Sequence, residues 1–151
     1  MAQILSPELF FEKISGTLSS KKQLSHNFID LTIHAVFRNK AAGKLDFGGS
    51  EFSPGLTDPC FPVKNHPDEP YGWWNLHDGY YQIIYNEEFK LAKNEIAFLQ
   101  PHPRLLSAGS FHPSLLVNEL NRSFHMLLHV PKHGIQLKEN ARISQILVID
   151  F

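Results

Sequence analysis

The clearest signal along this chain is a two-residue alternation of apolar and polar side chains. The run Ile29-Asp30-Leu31-Thr32-Ile33-His34-Ala35-Val36-Phe37 is β-branched and roughly alternating, which predicts a strand. From Trp73 onward the chain reads as short strands, best placed over 79–86, 95–99, 115–117, 123–130 and 142–149, with turns at Asp78-Gly79 and His133-Gly134. Only the start reads as helix. There Ser6 offers an N-cap hydroxyl, Pro7 suits the first turn, and Glu8 sits near the positive end of the dipole. Phe10 and Ile14 share a face and Gly16 can close the helix, which gives about three turns at most.

Glycines at Gly43, Gly48 and Gly49 place turns around a short segment at 44–47. Residues 50–72, SEFSPGLTDPCFPVKNHPDEPYG, then carry five prolines. Proline removes ladder donors, so this stretch is expected to be a loop: a passive surface segment, a lid or a partner-binding arm. The sum is one mostly-β domain over 1–151 with one short N-terminal helix.

Composition narrows the classes. The 151 residues are 42% apolar and 19% charged, enough to build a core. A net charge of -1 gives no broad attraction for nucleic acid or membrane. No apolar run approaches the ~20 residues of a membrane span, and the opening MAQILSPELFFEK lacks the pattern of a secretory signal. The single cysteine, Cys60, rules out an intrachain disulfide and suits a reducing, cytoplasmic setting.

Some chemistry is suggested by residue type alone. His125, His129 and His133 recur every four residues, a spacing that chelates zinc on a helix. On a strand, residues four apart lie about 13 Å apart, too far for one metal. Trp73, Trp74, Tyr80, Tyr81 and Tyr85 read either as a stacking surface or as core. His102 and His112 could hold an anion when protonated.

Four segments, in order, resemble the dUTPase and dCTP deaminase superfamily. Ile29-Asp30-Leu31-Thr32, followed by Leu45-Asp46-Phe47, is similar to its "(V/I)DLTV" strand and "IDF" segment. Gly79-Tyr80-Tyr81 with Tyr85-Asn86-Glu87 resembles "PGYY…YNE", and PHPRLLSAGS (101–110) resembles the "PRSSLLRxG" phosphate turn. Asn140-Ala141-Arg142-Ile143-Ser144-Gln145 resembles the closing "xARIAQ" strand. The resemblance covers nearly the whole chain. It implies a distorted β-barrel or jelly-roll (β-clip) fold, a homotrimer with sites between subunits, and a deoxynucleotide ligand, dUTP or dCTP. Members split dUTP with Mg²⁺, deaminate dCTP, or do both.

Carried over residue by residue, the resemblance makes Asp30 the carboxylate that reaches Mg²⁺ through water; read alone, it is a strand-end aspartate serving a turn. Arg104 and Ser107 would contact phosphate, and Arg142 and Gln145 would contact nucleotide or simply complete a core strand. The departures are as informative. His102 stands in place of arginine, Pro103 in place of serine, and Pro103 has neither hydroxyl nor N–H to offer. No aspartate occurs between Asp78 and Asp150, so the dUTPase general base has no counterpart. Asn118 cannot take a proton, and Glu119 is the only acid between Arg104 and Glu139. Met126 falls where the deaminase glutamate belongs, no tyrosine follows Tyr85 to pack on deoxyribose, and the sequence ends at Phe151 without the glycine-rich tail. Two expectations follow: a degenerate nucleotide enzyme, or a non-catalytic trimeric scaffold of the same fold.

Overall fold

The computed structural model describes residues 1–151. Its frame is the long strand β2 (Ile29–Ala41), whose inward positions Leu31, Ile33 and Val36 are almost wholly buried. β2 changes partners along its length. Its first part, Ile29 to Thr32, pairs with β12 (Arg142–Asp150), and its second part pairs with β5 (Gly79–Tyr85) after a register shift between Ile33 and Ala35. A bulge raises local twist, so this shift curls the sheet. The strand order is β10 (Met126–Val130), β5, β2, β12, β7 (Glu95–Pro101), β8 (Leu115–Val117), and every pairing is antiparallel. β1 (Gln3–Ile4) adds to β12, and β3 (Leu56–Cys60) adds to β2. Two small ladders flank this sheet: β4 (Trp73–Leu76) with β11 (Ile135–Lys138), and β6 (Phe89–Lys90) with β9 (Glu119–Leu120). The result is a mostly-β, curled half-barrel, as the alternation and the resemblance imply.

Several local expectations need correction. The N-terminal helix α1 spans only Pro7–Phe11, and Ser6 does not cap it; its hydroxyl instead donates to Glu8 Oε2 at 2.7 Å. Two further short helices form, α2 (Ser20–Gln23) and α3 (Pro103–Ser107), the latter within PHPRLLSAGS. The proline-rich stretch is not all loop, because β3 forms inside it despite Pro59. β3 pairs only with β2, an edge position where a missing N–H costs no ladder bond. Of the clustered aromatics, Trp74, Tyr81 and Tyr85 are core, whereas Tyr80 is exposed. Trp74 Nε1 donates to the Cys60 carbonyl at 2.9 Å, tying β4 to β3.

Gly16 does not close α1 as a helix cap. It has φ +81, and a Cβ there would lie 2.1 Å from the Asn86 carbonyl oxygen. The left-handed backbone alone costs a side chain about 1–3 kcal/mol, so Gly16→Ala should lower unfolding free energy by at least that much in a urea titration.

Candidate functional site

Asp30 lies on the part of β2 that faces β12, and its carboxylate is 4% exposed. Its direct cross-strand partner is Gln145, whose Nε2 donates to Oδ1 at 3.0 Å. The other oxygen, Oδ2, accepts from Arg142 Nη1 and from His102 Nε2, each at 3.2 Å. Arg142 is the counter-charge, and the same Nη1 also donates to the Lys22 carbonyl at 2.8 Å, reaching the end of α2. A buried carboxylate is stable only when its lone pairs are met, and here both oxygens are engaged.

His102 links this network to α3. As its N-cap residue, His102 accepts the Arg104 N–H on Nδ1 at 3.0 Å. That bond fixes the ring proton on Nε2, which therefore donates to Asp30. Pro103 fits the first helical turn because no N–H is required there. The residues that depart from the phosphate-turn pattern thus make a capped helical turn. His102 does not present a free ring nitrogen to an anion. Nor does His112, which donates Nδ1–H to the Pro113 carbonyl at 2.8 Å and receives the Ser144 hydroxyl on Nε2 at 2.7 Å. Tyr85 completes this chain, 2.6 Å from Ser144 Oγ. Burial pushes the His112 pKa down and the Tyr85 pKa up, which keeps both uncharged.

A second buried acid, Glu87, was visible only as part of the "YNE" segment. It is fully buried, accepts the Thr32 N–H at 2.6 Å, and lies 2.5 Å from Thr32 Oγ1. Gln23 Nε2 reaches both Glu87 at 3.2 Å and the Asp30 carbonyl at 2.9 Å. Desolvation raises the Glu87 pKa to about 7, against the lowering effect of its bonds to Thr32 and Gln23.

Beside these networks, and sharing Arg142 with the first, lies a cleft of about 420 Å³ between α3, β11 and the start of β12. Lys22, Arg104, Lys138 and Arg142 contribute four cations to its lining. Glu139 is its one acid, and Glu139 Oε2 already accepts the Gly72 N–H at 2.6 Å. Lys138 is steadied over the Trp73 ring, 5.4 Å from its centroid. A smaller recess shares Lys22, Asn140 and Arg142 with the cleft and is closed by Gln23 and Thr32.

The fold therefore brings Arg104 and Arg142 together in one cleft and binds Asp30, Arg142 and Gln145 into one network. Ser107, exposed on the last turn of α3, does not line the cleft. Glu119 is exposed on β9, paired with Lys90, and does not line it either. Met126 is buried in the core. Lys22 and Lys138 were not singled out in the sequence, where 115 residues separate them.

As a test for Mg²⁺, the donor set around Asp30 does not fit. A hard cation takes oxygen ligands, commonly its own waters, whereas N–H donors and a guanidinium surround this carboxylate. No group of three His, Cys, Asp or Glu side chains converges elsewhere as a metal set. His125 stacks on Phe37 and His129 packs between Tyr80 and Phe111.

No protein-family model matches the chain. Among curated proteins it is 28% identical over 136 residues to a probable deoxyuridine 5'-triphosphate nucleotidohydrolase from Methanosarcina mazei, spanning 89% of this chain and 76% of that protein. A protein of the same description from Aeropyrum pernix is 26% identical over 133 residues, spanning 79% of this chain and 84% of the other. Among solved structures, a 2'-deoxycytidine 5'-triphosphate deaminase from Agrobacterium tumefaciens superposes with a TM-score of 0.63 at 14% identity, over 99% of this chain. The present chain spans 49% of that deaminase chain. The fold is that of the dUTPase-like proteins. The likeness in sequence and in fold supports assignment to the dUTPase and dCTP deaminase superfamily.

Glu87 gives a signed pH dependence. Its folded pKa of about 7 lies above the ordinary 4.5, so the folded state holds this proton more tightly. Stability from this group is full below pH ~4.5 and is lost as pH rises through about 7, by at most about 3 kcal/mol. Glu87→Gln, which cannot ionise, should remove this fall, read as a flatter plot of unfolding free energy against pH than that of wild type.

Asp30 gives a second test. Asp30→Ala leaves the Arg142 guanidinium without its counter-charge and should cost about 3–5 kcal/mol in chemical denaturation.

Proposed function

We propose that this protein binds the phosphate end of a deoxynucleotide in the four-cation cleft and neither hydrolyses nor deaminates it. The reading is carried by the Asp30 carboxylate, both of whose oxygens are held by protein donors. A group so engaged is not available to organise a metal-bound phosphate. Glu139 is the one acid lining the cleft, and its Oε2 accepts the Gly72 N–H at 2.6 Å.

The named relatives are described as probable deoxyuridine 5'-triphosphate nucleotidohydrolases, and the structural neighbour as a dCTP deaminase. Their ligands motivate dUTP and dCTP as the first candidates. In this reading Arg104, Lys22 and Lys138 supply the charge that meets phosphate. Arg142 shares its guanidinium between Asp30 and the cleft, and Gln145 holds Asp30 in place. Ser107 lies at the rim of α3 and Glu119 plays no part. The assembly carrying the cleft is a homotrimer of 1–151 units, following the resemblance.

Calorimetry against dUTP, dUMP, dCTP and ATP, with EDTA or Mg²⁺, tests this directly. Binding should be equally strong with EDTA, and Arg104→Ala or Lys138→Ala should weaken it about tenfold, ~1.4 kcal/mol. No pyrophosphate or ammonia should be released. Mg²⁺-dependent turnover would overturn the non-catalytic reading, whereas absence of binding by every nucleotide would leave a scaffold of this fold without a nucleotide ligand.

A further inference from the structure

Glu87 lies one side chain behind the four-cation cleft. The small recess beside that cleft, of about 100 Å³, shares Lys22, Asn140 and Arg142 with it and is closed by Gln23 and Thr32. Thr32 stands directly across from Arg142 in the pairing of β2 with β12. Both closing side chains are hydrogen-bonded to Glu87, Gln23 through Nε2 at 3.2 Å and Thr32 through Oγ1 at 2.5 Å. A carboxyl group with no exposure is thus separated from a cationic recess by a single hydroxyl.

What that hydroxyl can offer depends on the proton of Glu87. Thr32 Oγ1 has one proton to give and two lone pairs, and one lone pair accepts Asn86 Nδ2 at 2.9 Å. An ionised carboxylate can only accept, so it holds the Thr32 proton on Oε2 and the recess gains no donor. A protonated Glu87 instead donates to the second lone pair of Thr32, which frees the hydroxyl proton to turn toward the recess that Thr32 lines. Oε1 keeps the Thr32 N–H at 2.6 Å in both states.

The rest of the recess suits an oxyanion. Asn140 Oδ1 is held by Asn86 Nδ2 at 3.0 Å, which leaves the Asn140 amide N–H groups as its free donors. Arg142 uses only Nη1 on Asp30 and the Lys22 carbonyl. A space of this size holds roughly three waters, the scale of one tetrahedral oxyanion rather than of a base or sugar. The other charged and titratable groups around Glu87 are accounted for. Asp30 on β2 is engaged by Arg142, His102 and Gln145. Glu88 pairs with Arg122 at 2.9 Å, Lys13 reaches Glu95 at 3.9 Å, and Tyr85 is held uncharged by burial. His34, 3.1 Å from Asn86 Oδ1, is the one histidine bonded to this chain of side chains.

We propose that the recess is an oxyanion subsite of the cleft, taking one phosphate group of its ligand, and that Glu87 acts as its positioning residue by deciding whether Thr32 donates to that anion. The inference rests on reading the cleft as a phosphate site. Burial sets the Glu87 transition at about 7, so anion affinity is full below that pH and falls as pH rises through it.

Sulfate is the probe, because its charge stays constant where phosphate titrates. Calorimetry from about pH 5.5 to 8.5 should find wild-type affinity for sulfate falling about tenfold across the range. Near pH 7 binding should take up protons, seen as an enthalpy that varies with the ionisation heat of the buffer. Glu87→Gln keeps every histidine, cannot ionise, and can donate its amide to Thr32, so its affinity should stay high and flat, with the proton uptake lost. Thr32→Val, its fold checked by circular dichroism, should match wild type at high pH and lack the gain at low pH. Nucleotide binding without sulfate binding, or a wild-type profile that Glu87→Gln reproduces, overturns the subsite and leaves the cleft reading intact. Failure of wild type to bind sulfate or any nucleotide at every pH overturns both.

Discussion

A carboxylate removed from water has to be met on both oxygens, and the way Asp30 is met organises this molecule. Its partners come from the turn after β7 (His102) and from two positions on β12 (Arg142 and Gln145). The bond from His102 sets where α3 begins, and α3 in turn sets where Arg104 stands. Arg142, drawn toward Asp30, also reaches the Lys22 carbonyl and so fixes the end of α2 beside the cleft. One buried charge thereby positions the elements from which the cleft takes Lys22, Arg104 and Arg142. The arrangement explains how departures from a phosphate-turn pattern fit the same fold. His102 and Pro103 exchange outward-facing donors for an inward-facing cap, stabilising the turn without a ligand.

The cleft also separates local from global electrostatics. A net charge of -1 describes the far field of the protein, which gives no reach toward polyanions. The cleft is lined by four cationic residues and one acid, a local balance that the total charge conceals, although Asp30 offsets the charge of Arg142.

What could be read from the sequence follows from the range of the interactions involved. The strand at 29–37 was legible because its apolar side chains roughly alternate with polar ones. β3 was not, because Pro59 argues against a central strand and only the full sheet identifies β3 as an edge. β11 alternates, but its four residues pair with β4 alone and carry too little pattern to stand out. In the site, the resemblance brought Arg104, Arg142, Gln145 and Asp30 forward, and the fold gathers Arg104 with Arg142 and Asp30 with Gln145. Lys22 and Lys138 converge only through tertiary structure. Glu87 stands beside Glu88, and nothing local distinguishes the acid with no exposure from its more accessible neighbour.

The central place of β12 has a consequence for biosynthesis. β12 joins β2 to β7, so the halves of the sheet share no continuous ladder until residues 142–150 have been made. Until those residues are made, β2 and β7 each present an unpaired edge, and Asp30 has neither Arg142 nor Gln145. Such edges invite pairing with other nascent chains. Completion of the sheet therefore waits on residues 142–150, which slot between two strands translated long before them.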